Sequence, residues 1–128
     1  MTDLGIVKQA IQFLGLSYSI DKAYRSLNTK EKMPLVIDMP GWDIGLHFVD
    51  GKIELKADSY AYIEAARQGK IPKFLKKGER LNELRFSGIL QQAYNITNAT
   101  SLAEQMGHRI IVSEPDDNGN VHAQILVR

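Results

Sequence analysis

The sequence lacks several features that would point to a particular chemistry or location. None of its 128 residues is cysteine, which excludes disulfide bonds, thiolate zinc sites, iron–sulfur clusters and cysteine nucleophiles. Its 16 basic and 15 acidic residues leave a formal net charge of +1, so no global field steers the chain toward nucleic acid or an anionic membrane. No window approaches the ~18 to 20 apolar residues of a membrane span, and residues 1–16 lack the basic region and apolar run of a signal peptide. We therefore expect a cytoplasmic protein, or a stromal one if it is plastid-encoded.

What is present is the composition of an ordinary globular protein. The hydrophobic share is 44% and the charged share is 24%, both typical of folded domains. A chain of this length can bury a core without disulfides or structural metals. We predict one domain over residues 1–128.

The stretch from residue 33 to residue 58 predicts a strand that runs into a β-hairpin. Asp50-Gly51 suits the two positive φ angles of a type I′ turn, and the register then follows by counting. One side carries apolar pairs and is predicted to face the core: Phe48–Ile53, Leu46–Leu55 and Ile44–Ala57. The other side is predicted to face water and carries polar pairs and one glycine: His47–Glu54, Gly45–Lys56 and Asp43–Asp58.

The remaining residues supply helices, two further strands and a second hairpin. The predicted boundaries are a helix at 3–14 capped by Thr2 or Asp3, a strand at 16–20, a loop at 21–32, a helix at 60–68 capped by Ser59, a helix from 81 to 94, and strands at 108–113 and 121–127 around Asn118-Gly119. Either the long helix breaks near Thr97 and restarts at Ser101, whose partner Glu104 would complete a capping box, or it runs through to Met106. The order α-β-β-β-β-α-(α)-β-β, with antiparallel pairing, predicts an α+β two-layer sandwich with helices on one face.

Several of these motifs resemble an uncharacterised family of cyanobacteria and plastids, the hypothetical chloroplast reading frame thirty-five family. The similar segments are Gly41-Trp42-Asp43-Ile44-Gly45-Leu46, Asp50-Gly51, Glu54-Leu55-Lys56-Ala57-Asp58, residues 92–94 and 104–108, and the closing strand after Gly119. The chain departs from the family pattern at residues 21–32 and carries a helical, basic insertion at about 60–84. The resemblance implies a fold and a cyanobacterial, plastid or phage origin, and it carries over no catalytic residues.

The polar side of the hairpin is one candidate for chemistry. Asp43 and Asp58 could share a proton or a hard metal ion, but Lys56 lies beside them and no further ligand is close in register. A solvated ladder of ion pairs, with His47 opposite Glu54, is the favoured interpretation. Asp38 is expected at the surface, or else as a paired, half-buried acid. We expect no metal, no cofactor and no catalytic residues.

Two binding functions remain, and they use different residues. Trp42, Tyr60 and Tyr62 cluster at the open end of the hairpin, where exposed aromatic side chains would form a contact patch for a partner protein. The alternative is a nucleic-acid-binding accessory that uses the basic segment: Lys70, Lys73, Lys76, Lys77 and Arg80. We predict a non-enzymatic protein-binding accessory or adaptor, with self-association through an open sheet edge as a further option.

Overall fold

The computed structural model describes residues 1–25 and 31–127. In chain order its elements are α1 (Leu4–Phe13), β1 (Ser17–Ala23), β2 (Lys32–Asp38), β3 (Ile44–Val49), β4 (Lys52–Lys56), α2 (Ser59–Ala65), α3 (Ile71–Phe74), α4 (Glu83–Gln105), β5 (Arg109–Val112) and β6 (Ala123–Leu126). This is the predicted order with the short helix α3 added. The α+β class is confirmed.

The strands form two separate antiparallel sheets. One has four strands in the order β1-β2-β3-β4, and the other is the two-stranded ribbon β5-β6. Between the two strands of the ribbon lies a loop that Asp116 organises by accepting hydrogen bonds from the N–H groups of Asn118 and Asn120, at 2.9 and 3.0 Å. No described helix is long and apolar enough to cross a membrane.

The hairpin register is confirmed from Val49–Lys52 to Gly45–Lys56, with Asp50 and Gly51 at φ angles of 51° and 77°. The predicted core position of Phe48 is wrong, because this side chain is 48% exposed. Pairing between β2 and β3 stops at Leu46, so Phe48 projects beyond the part of the sheet that β2 flanks. Ile53 opposite it is buried, and its N–H donates to the carbonyl of Met1.

The predicted loop at 21–32 is wrong at both of its ends. Lys22 pairs with Met33, and Ala23 pairs with Lys32, so β1 extends further than its apolar pattern indicates. The pattern fails because Asp21 takes a left-handed conformation with φ 49°, which aspartate tolerates better than most residues. Residues 26–30 of the predicted loop lie outside the described residues.

Helix α4 is continuous, which decides between the two alternatives for residues 81–106. Its N-cap is Asn82, whose side chain accepts from the N–H of Arg85. The hydroxyls of Thr97 and Thr100 donate to carbonyls four residues earlier, each at 2.8 Å. These bonds satisfy the hydroxyls inside the helix, so no break or capping box forms there.

The main core lies between the helices and one face of the four-stranded sheet. It draws buried side chains from α1, β2, β3, β4, α2, α3 and α4. Residues 60–84 contribute Tyr62, Ile71, Phe74 and Leu81 to it; that they are an insertion stays a prediction. A small second cluster of Tyr24, Met33 and Val36 is separate from the main core.

Candidate functional site

Asp43 is fully buried, so its predicted place on a water-facing ladder opposite Asp58 is wrong. Its carboxylate accepts from the Arg25 backbone N–H and Nε at 3.0 and 2.9 Å, from Arg25 Nη2 at 2.8 Å, and from the N–H of Met39 at 3.1 Å. Burial raises the pKa of Asp43, but these hydrogen bonds outweigh it and hold the pKa below its ordinary value. The arrangement keeps the carboxylate charged, and its four bonds leave it little capacity to bind a metal or to move a proton.

The guanidinium of Arg25 also closes the loop that precedes β3. Its Nη2 donates to the carbonyl of Met39, and its Nη1 lies 3.4 Å from the carbonyl of Pro40. A second carboxylate holds the same loop, because Glu64 of α2 accepts from the N–H groups of Gly41 and Trp42 at 3.1 and 2.9 Å. The loop is thereby fixed to the end of β1 on one side and to α2 on the other.

The rest of the polar hairpin face is a set of surface interactions. His47 and Glu54 are cross-strand neighbours, and Lys56 Nζ lies 2.8 Å from a Glu31 carboxylate oxygen. That bond lowers the pKa of Glu31 and raises the pKa of Lys56. Asp58 lies at the N-cap position of α2 rather than in the ladder. Ser59, which was predicted as the N-cap, is instead the first residue of that helix. The structure does not bring Asp43 and Asp58 together as a ligand pair.

Asp38 fits the second of its two sequence interpretations. Its side chain is 28% exposed, and it accepts from the hydroxyl of Ser19 at 2.8 Å and from Lys22 Nζ at 2.9 Å. Both donors come from β1, which pairs with the strand that carries Asp38. Across residues 1–25 and 31–127, no group of three or more histidine, aspartate or glutamate side chains could hold a metal ion.

The three aromatic residues predicted as one exposed patch are divided by the structure. Tyr60 is 54% exposed, whereas Tyr62 is 3% exposed and packs against Phe86 with ring centroids 5.7 Å apart. The prediction that Tyr62 is exposed is wrong because Ala61, Tyr62 and Ala65 form the buried side of α2. Trp42 is half-buried against the core. Trp42 belongs to the loop that Glu64 holds, and Tyr60 lies one helical turn before Glu64 on α2.

The Tyr62 hydroxyl is buried and has no hydrogen-bond partner among the described residues. Burial raises the pKa of this phenol, and the charge of Glu83 raises it further. The side chain stays neutral and behaves as part of the core. It also forms part of the wall of an adjoining groove.

That groove, which we call the α2 groove, runs between α2 and the segment that leads into α4. It has a volume of about 780 Å³. Its apolar wall consists of Ala57, Tyr62, Ile63, Ala66 and Leu81. Ile63 is 50% exposed, so much of this apolar side chain is accessible beside the concavity.

Charged side chains also line the α2 groove. They are Arg67, Glu79, Arg80 and Glu83. Glu79 is neutralised by Arg85, whose Nε lies 3.2 Å from its carboxylate, and Glu83 lies in the first turn of α4, where the helix dipole stabilises negative charge. Neither Arg67 nor Arg80 has an ion-pair partner among the described residues. Their guanidinium groups are therefore available to bind an anion.

The basic segment is exposed at each of its five predicted residues, but two of them are already engaged. Lys73 Nζ lies 3.4 Å from a Glu114 carboxylate oxygen, and the ammonium of Lys70 lies over the ring of Phe13, 5.3 Å from its centroid. Lys76, Lys77 and Arg80 have no ion-pair partner in the described part of the chain.

Sequence reasoning did not identify the residues that organise this region. Arg25 lies in a segment without hydrophobic periodicity. Its hydrogen-bond partner Asp43 is 18 positions away in the sequence, so no local pattern indicates its role. Glu64 falls within the predicted helix at 60–68, and the helical pattern indicates no role for it. Ile63 and Arg67 could have been found, because they are four residues apart in the predicted helix at 60–68, although Arg67 lies in the turn that follows α2.

Comparisons with known proteins do not add a relative. No family model matches the chain, and neither a curated protein nor a solved structure matches it.

Proposed function

We propose that this chain is a non-enzymatic protein-binding accessory, and that the α2 groove receives a segment of a partner protein. The observation that carries the proposal is an apolar concavity bordered by two arginines that no described carboxylate neutralises. Such a site suits a segment that places an apolar side chain against Ile63 and a carboxylate against Arg67 or Arg80, since arginine binds carboxylates through two parallel hydrogen bonds.

The surface beside the groove extends this contact. Tyr60 and Ile63 are three residues apart on α2 and therefore neighbours on the helix surface, and both are at least half exposed. Tyr60 also lies one helical turn before Glu64, the residue that holds the loop carrying Trp42. A partner seated in the groove would thus meet aromatic side chains at one edge, which are common in protein interfaces. Because the loop is already held by Arg25 and Glu64, little ordering entropy is lost on binding.

The resemblance described above supports a place in the cytoplasm of cyanobacteria, in the plastid stroma or in phages that infect such cells. We extend the proposal to that compartment and family. The binding site itself depends only on the side chains that line the α2 groove.

A random peptide library displayed on phage tests the proposal. We expect the chain to enrich peptides with one large apolar residue a few positions from aspartate or glutamate. Ile63→Asp and Arg80→Glu should each abolish that enrichment. Two exposed residues outside the groove provide matched controls, because Leu84→Asp and Lys77→Glu introduce the same changes of character at positions that do not line it.

Trp42 is the only tryptophan of the chain, so its fluorescence can report binding of a selected peptide in solution. Peptides that bind all four variants equally, or no enrichment at all, would contradict the proposal. The nucleic-acid alternative gives a different result: single- or double-stranded oligonucleotides would bind at ~50 mM salt and weaken steeply as salt rises. That binding should disappear when charges are reversed at Lys70, Lys73, Lys76, Lys77 and Arg80.

A further inference from the structure

The outer edge of β6 is an open strand edge. Within residues 1–25 and 31–127, its sheet contains only β5 and β6, and each residue of β6 is exposed. The N–H of Ser113 donates to the carbonyl of His122 at 2.8 Å, which makes this in-register pair a hydrogen-bonded one. Because such pairs alternate along an antiparallel ladder, Gln124 and Leu126 bond to β5. The backbone groups of Ala123, Ile125 and Val127 therefore point away from β5.

This edge also lacks the charges found on the two edge strands of the four-stranded sheet. The outer strands of the four-stranded sheet carry Asp21 and Lys22 on β1, and Lys52, Glu54 and Lys56 on β4. The edge of β4 is further occupied where Ile53 donates to the carbonyl of Met1. Charged side chains at strand edges oppose pairing with another chain. From Ala123 to Val127 the sequence has neither charge nor proline, so nothing there opposes it.

The side chains that share this edge are apolar and lie on the side of the ribbon that faces the helices. Ile125 pairs with Ile110, and Ala123 pairs with Val112; Ile110 and Val112 line a cleft of about 690 Å³ against α1 and α4. Cross-strand partners point to the same side of a sheet, so Ile125 does as well. It is nevertheless 50% exposed, and Val127 is 76% exposed. The apolar surface of these two side chains, which a wider sheet would help to bury, is therefore exposed to solvent.

We propose that two copies of this chain associate through β6, in antiparallel fashion, about a two-fold axis at Ile125. This register pairs Ile125 with its own symmetry mate and Ala123 with Val127 of the second copy. All three residues have outward-pointing backbone groups, so each of these pairs can be hydrogen-bonded. The two-fold axis keeps both helix-facing sides on one side of the new four-stranded sheet. A second copy fits because the edge has no charge with which to repel itself.

The separation of the β5 strands in such a dimer exceeds the distance that a pair of packed α4 helices requires. Joining the ribbons places the two β5 strands about 14 Å apart, which is three strand separations. Helix α4 contacts β5, and packed helices need only ~8 to 10 Å between their axes. The α4 helices of the two copies would then lie on the same side of the new sheet as the two Ile125 side chains.

Sedimentation velocity and amide hydrogen exchange on the full chain test this inference. We expect a species of about 29 kDa, twice the 14.4 kDa of the chain, that grows with concentration in the micromolar range. Ile125→Lys places two like charges on the axis and should weaken association by tenfold or more. Ile111→Lys is the matched control, because Ile111 is 49% exposed on the other strand, opposite Gln124 on the outer side of the ribbon. It should leave association unchanged.

Hydrogen exchange locates the interface residue by residue. The amides of Ala123, Ile125 and Val127 should gain protection as concentration rises, whereas those of Gln124 and Leu126 should be protected at all concentrations. A monomer at every concentration would overturn the proposal, as would a dimer that protects other amides or that both lysine variants weaken equally. A monomer whose β6 amides are protected only by an added extended peptide would assign the edge to a foreign strand and would also overturn self-association.

Discussion

Replacing Asp43 with asparagine removes a charge that the fold holds with three hydrogen bonds from Arg25 and one from Met39. In the asparagine side chain, an NH2 group replaces one of the two carboxylate oxygens. That NH2 group would face N–H donors, which cannot accept its hydrogen bonds. Losing one partner of a buried ion pair costs about 3 to 5 kcal/mol. Because the Arg25 side chain is 46% exposed and can return to water, we expect a smaller loss of about 2 to 4 kcal/mol in unfolding free energy.

Urea unfolding at pH 7, followed by circular dichroism, measures this loss. With a slope of about 2 kcal/mol per molar urea, the midpoint should fall by about 1 to 2 M. Asp38→Asn is the matched control, since that carboxylate also has a basic partner but is 28% exposed. It should cost less than about 1 kcal/mol. Equal losses in the two variants would refute the claim that burial and the Arg25 bonds make Asp43 different.

The pH dependence has a definite sign. The pKa of Asp43 is lower in the folded protein than in the unfolded chain, where aspartate titrates near ~3.9. Its contribution is therefore complete above about pH 5 and is lost as pH falls through the folded pKa. Because the asparagine variant lacks this titration, the difference between wild type and Asp43→Asn should shrink as pH falls from 7 to 3. A difference that stays constant or grows would show that Asp43 is not held as a charged group.

Two further predictions concern stability. Gly69→Ala should destabilise the fold by more than Gly78→Ala: both glycines have positive φ, at 54° and 79°, but an added Cβ at Gly69 would lie 2.5 Å from the Leu14 carbonyl, whereas nothing lies within 4 Å at Gly78. Because the backbone strain is similar at the two positions, the difference between the melting temperatures of the two variants measures the steric cost at Gly69. Equal melting temperatures would contradict this prediction. Tyr62→Phe should leave the unfolding free energy unchanged or raise it by up to ~1 kcal/mol, because the buried hydroxyl has no described partner. A loss greater than ~1 kcal/mol in urea unfolding would mean that the hydroxyl is satisfied.

The β-hairpin could be predicted in detail because its determinants are local. An Asp-Gly turn and period-two alternation fix the register without reference to any other element, and Leu46 and Ile53 are buried as that register requires. The exposure of Phe48 could not be read in the same way. It depends on how far the neighbouring strand β2 extends beside β3, which is a property of the assembled sheet.

Asp43 shows a second limit of sequence reasoning. Alternation predicted it on the polar side of the hairpin, where a charged residue is usually solvated. Its burial depends instead on Arg25, which comes from a segment with no recognisable pattern. The continuity of α4 has a similar origin: Thr97 and Thr100 are weak helix formers in isolation, but their hydroxyls are satisfied by the helix itself.

The two proposed surfaces lie at opposite ends of α4, and this placement connects them. The α2 groove is lined by Asn82 and Glu83 at the start of the helix, and the ribbon lies against Thr100, Ser101 and Glu104 near its end. At 1.5 Å per residue these ends are about 30 Å apart, so association through β6 would leave the grooves of both copies open. A partner with two binding segments could then engage both copies, and the second contact would be intramolecular. Linkage of this kind raises overall affinity by about 10² to 10⁴ when the linker can span the sites, which would allow an individually weak groove to act as an effective adaptor.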